Sequence, residues 1–357
     1  MIAITQPLAR LFVIALLCFS AVLLRTAAAD DSKWVDYQPP EGSSNGKKIV
    51  FLAAGWEYRA EEGMTMLAKI LSQKHGFPCT VLFAVHKEDG TIDPNTADNI
   101  PGIEQLGAAD LLVILGMDLE LPDAQMKHIV QYVESGKPVI GFRCAVLAFK
   151  NLKERGSPFA NYDTHAKSGG FGGMVLGEKW RGHHGHHAVE STRGLINGRY
   201  RAHPILRGVG GDIWGPTDVY QVDRLPEAAT VLAYGQVLKG MKPDDPPNFH
   251  KPIMPMIWTW ERPVNFGTGR VMTSTIGAAE DLQSEDLRRI IVNGAYWGLG
   301  MEASIPEKSD VAYVDPFEPS AFGRDKFRKG QRPKDYALQS PPQAGEKEPV
   351  ASESSSK

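Results

Sequence analysis

Lys48-Ile49-Val50-Phe51-Leu52-Ala53-Ala54-Gly55 decides the fold. An apolar run without alternation, closed by a glycine, is the pattern of a strand buried on both faces, which needs helices above and below its sheet. The chain that follows supplies them. From Ala60 to Lys74, apolar Met64, Leu67, Ala68, Ile70 and Leu71 recur at helical spacing, and Gly76 ends the helix. Cys79 to Val85 reads as a second strand, and Ala109 to Leu115 as a third that closes on Gly116-Met117-Asp118. Pro122 opens a helix with Met126, Ile129, Val130 and Val133 on one face and Gly136 at its end. Pro138-Val139-Ile140 is a fourth strand, stopping at Gly141. Buried strands alternating with amphipathic helices predict an α/β domain on a doubly wound parallel sheet.

Farther along, residues 151–251 are loop-rich, with Gly169-Gly170-Phe171-Gly172-Gly173 and the run Arg181-Gly182-His183-His184-Gly185-His186-His187. Late strands are expected at Ala228–Tyr234, Pro255–Trp260 and Gly269–Thr275, and a last helix at Ser284–Leu299, capped by Ser284 with Leu287, Ile290, Ile291 and Ala295 inward. The domain should span residues 47–303, with 304–340 as an extension packing on it and the Pro- and Ser-rich residues 341–357 disordered.

On the N-terminal side, residues 30–46 are a polar lead-in. Before it, Arg10, the apolar run from Leu11 to Leu24 and then Ala27-Ala28-Ala29 form a secretory signal peptide, cut near Ala29. Roughly 14 apolar residues fall short of the ~20 of a bilayer span, so no stable membrane anchor is expected and the mature protein should be periplasmic or secreted. A composition of 42% hydrophobic and 23% charged residues is that of an ordinary globular chain. A net charge of −3 offers no footprint for nucleic acid or an anionic membrane. A homo-oligomer stays open. Cleavage would leave Cys79 and Cys144, on separate strand ends about 15–20 Å apart, and hence two free thiols.

Ligands of open parallel sheets bind outside the carboxyl ends of the strands. That rule selects Gly55-Trp56-Glu57-Tyr58-Arg59, Gly116-Met117-Asp118, Arg143-Cys144 and Gly277-Ala278-Ala279-Glu280-Asp281. Trp56, Glu57, Tyr58, Asp118, Arg143 and Cys144 are therefore candidates to bind substrate. Arg143 stays protonated, so it either clamps a carboxylate, phosphate or sugar hydroxyl, or pairs with Asp118 or Glu57. His183, His184, His186 and His187 could hold Zn²⁺ or another divalent transition metal, about two at a time, with His165, His203, Glu280 or Asp281 as remote partners. A hydrogen-bonded loop closing over the sheet edge is the competing reading. Acid/base work is the third, with His184, His187, Glu280 and Asp281 as candidates. His203 before Pro204 reads better as the fixer of a turn. Trp56, Tyr58, Trp180, Trp214, Tyr220, Trp258 and Trp260 suit sugar-ring faces or core packing, with Trp56 best placed for a ligand.

Several stretches bear a family likeness in their order. They are Lys137-Pro138-Val139-Ile140-Gly141-Phe142-Arg143, Val175-Leu176-Gly177 before His183-His184-Gly185, His203-Pro204-Ile205, and Gly269-Arg270-Val271 leading through Gly277 to Leu287-Arg288-Arg289 and Tyr296-Trp297. With them, the chain from Ile49 to Glu302 resembles ThuA-like proteins, which implies the flavodoxin-like, class I glutamine amidotransferase-like fold. The amidotransferase relatives present Gly-x-Cys at the fourth-strand elbow; here Arg143 holds that position and Cys144 comes one residue late. Many ThuA-like proteins carry His at the elbow and another after the glycine matching Gly277, where this chain has Arg143 and Ala278. Glutamine hydrolysis, which needs the Cys–His pair, is thereby excluded. The resemblance implies a small-molecule carbohydrate as partner, trehalose-like or a keto-disaccharide. It would be hydrolysed, isomerised or epimerised by an exported enzyme, with metal assistance as an option. A sugar-binding or scaffold module without catalysis, and a periplasmic metal-binding protein, are the other readings.

Overall fold

The computed structural model describes residues 32–264 and 267–339. The signal peptide and the tail expected at 341–357 lie outside the described residues. The elements run β1 (Trp34–Tyr37), β2 (Ile49–Ala53), α1 (Ala60–His75), β3 (Cys79–Phe83), β4 (Leu111–Leu115), α2 (Asp123–Glu134) and β5 (Val139–Phe142). They continue with β6 (Thr192–Ile196), β7 (Ile213–Gly215), β8 (Thr230–Val237), β9 (Met254–Val264), β10 (Gly267–Ser274) and α3 (Glu285–Gly298). Among the described residues the strands form one ten-stranded sheet in the order β1-β3-β2-β4-β5-β10-β9-β8-β6-β7.

The strands from β3 through β10 in that order are parallel neighbours. β1 is antiparallel on one flank, and β9, β8, β6 and β7 are antiparallel on the other. The result is a mixed α/β sheet with a parallel centre, and the purely parallel expectation is corrected at both flanks. The loop-rich middle contributes β6 and β7, which periodicity missed. β7 has three residues and β6 is only partly buried, so neither shows the continuous apolar run of a central strand.

Side chains alternate across the parallel strands and divide the core into two layers. Ile49 and Phe51 of β2 join Leu67 and Leu71 of α1 and Ile290 and Ile291 of α3. Val50 and Leu52 face the other way, with Met126, Ile129 and Val133 of α2. Gly76 ends α1 in a left-handed conformation, and the Ser284 hydroxyl accepts the Leu287 amide at the start of α3. Cys79 and Cys144 are both free and buried. Among the described residues no helix is long and apolar enough to cross a membrane.

The chain after α3 returns to the α1 layer, where Ile305, Val311 and Phe322 enter the core. The Tyr37 hydroxyl donates to the Tyr336 carbonyl at 2.6 Å, and the Ile92 amide to Gln331 at 2.8 Å. Glu61 is buried beside this segment, with Arg59 Nε 3.8 Å from Oε1 and no hydrogen bond to that oxygen. Burial pushes the Glu61 carboxyl up to about 7, against the pull of Arg59. Between the ordinary carboxyl range and pH 7 the unfolded chain is ionised at this position while the folded chain holds the proton. Its contribution to stability is therefore lost as pH rises from about 4.5 to 7. Urea unfolding of Glu61→Gln should show the variant gaining about 2 kcal/mol relative to the parent between pH 5 and pH 7. A difference independent of pH would contradict the shift.

Candidate functional site

β5 ends at Phe142, and the next residue, Arg143, adopts a left-handed conformation with φ 45° that turns its side chain beneath the sheet edge. The guanidinium is 1% exposed. Nη1 donates to the Asp218 carbonyl and, at 2.8 Å, to that of Thr275 after β10. Nη2 donates to the Tyr58 hydroxyl at 2.7 Å and lies 3.5 Å from Asp218 Oδ1. The guanidinium carbon also sits 4.4 Å from the centre of the Tyr58 ring. Arg143 thus ties together the loops after β2, β5 and β10. Its ionic partner is Asp218 rather than Asp118 or Glu57.

The histidine run reaches the same place by backbone pairing. His183 bridges to Tyr220, and the His184 and Gly185 amides both donate to the Val219 carbonyl, at 3.2 and 3.1 Å. A Cβ on Gly185 would lie 2.6 Å from Asp218 Cβ, so the glycine is what lets Asp218 enter between the histidines. Asp218, fully buried, then accepts from His183 Nδ1 at 2.8 Å on Oδ2 and from His187 Nδ1 at 3.0 Å on Oδ1. His187 Nε2 reaches Glu57 Oε1 at 3.1 Å. Aromatic rings brace the group: Trp180 packs edge-on against His183 at 5.1 Å, and Phe322 from the C-terminal segment lies 5.4 Å from His187.

Charge follows from these contacts. Hydrogen bonds to Asp218 and then Glu57 raise the His187 imidazole to about 9, so without a bound cation it carries a proton. Burial alone would raise the Asp218 carboxyl, but the two histidine hydrogen bonds and the Arg143 charge outweigh it and hold Asp218 well below the usual carboxylate range. Burial pushes the Cys144 thiol up to about 12 despite Arg143, which leaves no thiolate near neutrality. Cys144 is a packed, buried side chain beside Arg143 and Tyr58.

The other candidates fall elsewhere. His184 Nε2 donates to the Pro252 carbonyl at 2.8 Å, and His186 is exposed to solvent, so neither joins His183 and His187. Asp281, expected as an acid/base, is fully buried, and its carboxylate accepts from the Thr217 hydroxyl and the amides of Thr217, Gly277 and Ala278 at 2.6–3.1 Å. It holds the turn after β10. Gly277 belongs to that turn at φ 139°, where a Cβ would meet Phe142 at 2.9 Å. Glu280 accepts the Phe322 amide at 2.7 Å, and burial raises its carboxyl.

Asp118 lies in a tight turn, 3.8 Å from Lys150. Trp56 is covered by the Arg324 guanidinium, 4.1 Å from its ring centre. His165 is exposed, and His203 Nδ1 accepts the Ile205 amide at 3.3 Å to fix its turn. Trp258 and Trp260 are core residues, with indole N–H groups on Leu176 and Val175. Asp218 carries no mark of its role in the sequence. Its only trace there is a single acid in Thr217-Asp218-Val219-Tyr220, beside apolar residues and outside any periodic element.

Residues 48–298 match the family model of ThuA, described as trehalose utilisation. Among solved structures, the chain is similar to a ThuA-like protein from Bacteroides uniformis, with 16% identity, 71% of this chain and 91% of that one covered, and a TM-score of 0.45. A ThuA-like protein from Parabacteroides merdae follows at 14% identity, 71% and 90% coverage and a TM-score of 0.44. A cytoplasmic protein of Salmonella typhimurium is similar at 15% identity, 70% and 99% coverage and a TM-score of 0.42. No curated protein matches the chain.

Proposed function

The chain belongs to the ThuA family, described as trehalose utilisation, and on that premise we propose that it is an exported protein acting on a trehalose-like or keto-disaccharide as a hydrolase or isomerase. We read its sheet as the flavodoxin-like, doubly wound arrangement, extended by antiparallel strands. The observation that carries the functional reading is the continuous chain Glu57–His187–Asp218–His183 at the carboxyl edge of β2 and β5. It opens toward solvent at His183, whose side chain is 40% exposed. Carboxylates and imidazoles present both donors and acceptors to sugar hydroxyls, and they can move a proton at a carbonyl or glycosidic oxygen. Trp180, half-buried beside His183, suits the apolar C–H face of a sugar ring.

A second reading, a sugar-binding module without turnover, is favoured by Arg143, whose guanidinium is largely occupied by protein groups at the position of the relatives' nucleophile. Calorimetry with trehalose and keto-disaccharides, followed by product analysis by NMR, separates the two. Under the enzymatic reading the parent converts at least one sugar, and His183→Ala slows turnover by about 10²–10⁴-fold with its circular dichroism unchanged. Binding with no product after long incubation selects the module. No binding by any member of the panel rejects the carbohydrate reading.

A further inference from the structure

We propose that His183, His187 and Asp218 form a binding site for one divalent transition-metal ion, with Zn²⁺ the best-matched member of the class. Each of the three offers a ligand atom, and these atoms all lie within 4.8 Å of one another. The ring nitrogens facing Asp218 are Nδ1 in both histidines, 2.8 and 3.0 Å from its oxygens. Tetrahedral zinc, with bonds of about 2.0–2.2 Å, sets its ligand atoms about 3.3 Å apart. An ion entering this face would replace the two histidine–carboxylate hydrogen bonds, whose 2.8 and 3.0 Å lengths open by a few tenths of an ångström, while the wider separations within the 4.8 Å group close onto it.

The surroundings are those of a metal centre. Glu57 holds Nε2 of His187, the outer carboxylate that fixes a ligand imidazole and raises its basicity. Arg143 anchors Asp218 from below, at 3.5 Å. Trp180 limits rotation of the His183 ring, and Gly185 makes room for Asp218 between the two histidines. Protonated His187 balances the group, so an entering cation displaces that proton; with both imidazoles neutral, the carboxylates of Glu57 and Asp218 against the charge of Arg143 leave one net negative charge to meet the ion. Two imidazoles and one carboxylate select a borderline transition ion over Mg²⁺ or Ca²⁺, which prefer oxygen ligands. Three protein ligands leave a coordination position open, the arrangement of catalytic rather than structural zinc. His183, with its side chain 40% exposed, is where an incoming molecule reaches this group.

The ion occupies the site proposed for sugar, but its test needs no sugar, so either reading can fail alone. Protein carrying no affinity histidines is stripped with chelator, reloaded with Zn²⁺ or Co²⁺, desalted, and measured by elemental analysis, calorimetry and the visible spectrum of Co²⁺. One ion per chain is expected, with a tetrahedral Co²⁺ spectrum and no uptake of Mg²⁺ at the same concentration. His183→Ala and His187→Ala should each weaken binding by about 100-fold or more, and Glu57→Gln by about 10–100-fold. His184→Ala should bind as the parent does, because its ring faces the Pro252 carbonyl. Melting curves identify any variant that fails to fold, and the half-exposed His183 then decides. Stoichiometry well below one ion per chain overturns the site. So does unchanged affinity in a folded His183→Ala, or a loss in His184→Ala equal to that in His183→Ala, which would mean unspecific capture by the loop.

Discussion

Asp218→Ala destabilises the protein by about 3–5 kcal/mol, the cost of leaving one member of a buried ion pair without its partner. Arg143 keeps its carbonyl contacts and the Tyr58 hydroxyl in that variant, yet none of these neutralises the guanidinium. The anion that does so is Asp218, fully buried at 3.5 Å. The same substitution removes the acceptor of both His183 and His187, so the two rings lose their common anchor. Against a total stability on the order of 5–15 kcal/mol, the loss is large enough to be read directly from a urea midpoint. Asp218→Asn keeps the shape and some hydrogen bonding, and it should fall between the parent and the alanine variant. A loss under about 1 kcal/mol for alanine would mean that Arg143 is neutralised by another group or reached by water.

Asp281→Ala should cost a similar amount, about 3–5 kcal/mol, for a different reason. Its carboxylate accepts four hydrogen bonds inside the protein, three of them from backbone amides. Once it is gone, the Thr217, Gly277 and Ala278 amides have no acceptor in a buried place, and each unsatisfied group costs about 1–3 kcal/mol. Partial entry of water keeps the sum below the full total. Because Asp281 braces the turn and the backbone at Thr217, beside Asp218, without contacting His183 or His187, its activity should fall no further than its folded fraction. A variant that melts like the parent but loses more than about 100-fold in turnover would restore Asp281 to the chemistry.

The contrast between Asp281 and Asp218 shows how the candidate site was legible in the sequence, and where it was not. Gly277-Ala278-Ala279-Glu280-Asp281 follows a strand at the functional edge, and its acids were natural candidates on that ground. Whether such an acid faces solvent or saturates itself on backbone amides depends on the loop that packs against it, here Thr217 from a distant segment. The histidine run was recognisable by composition. Which two of its rings converge was not, because the selection is made by Val219 and Tyr220 pairing with the run and by Gly185 admitting Asp218.

What the sequence by itself determined is the central architecture: β2, β3, β4 and β5 with α1, α2 and α3, the glycine-ended edge above them, and Arg143 just past the end of β5. Those features are carried by neighbouring residues, as apolar runs, helical spacing and end signals within a dozen positions. Only the tertiary structure decided that antiparallel strands extend the sheet and that Arg143 answers to Asp218. It also decided that His183 and His187, without His184 and His186, gather on one carboxylate. Those contacts join residues 31 to 132 positions apart. A polar side chain left in a low-dielectric interior must find its partner there, and the folded chain, not the local pattern, brings that partner within reach.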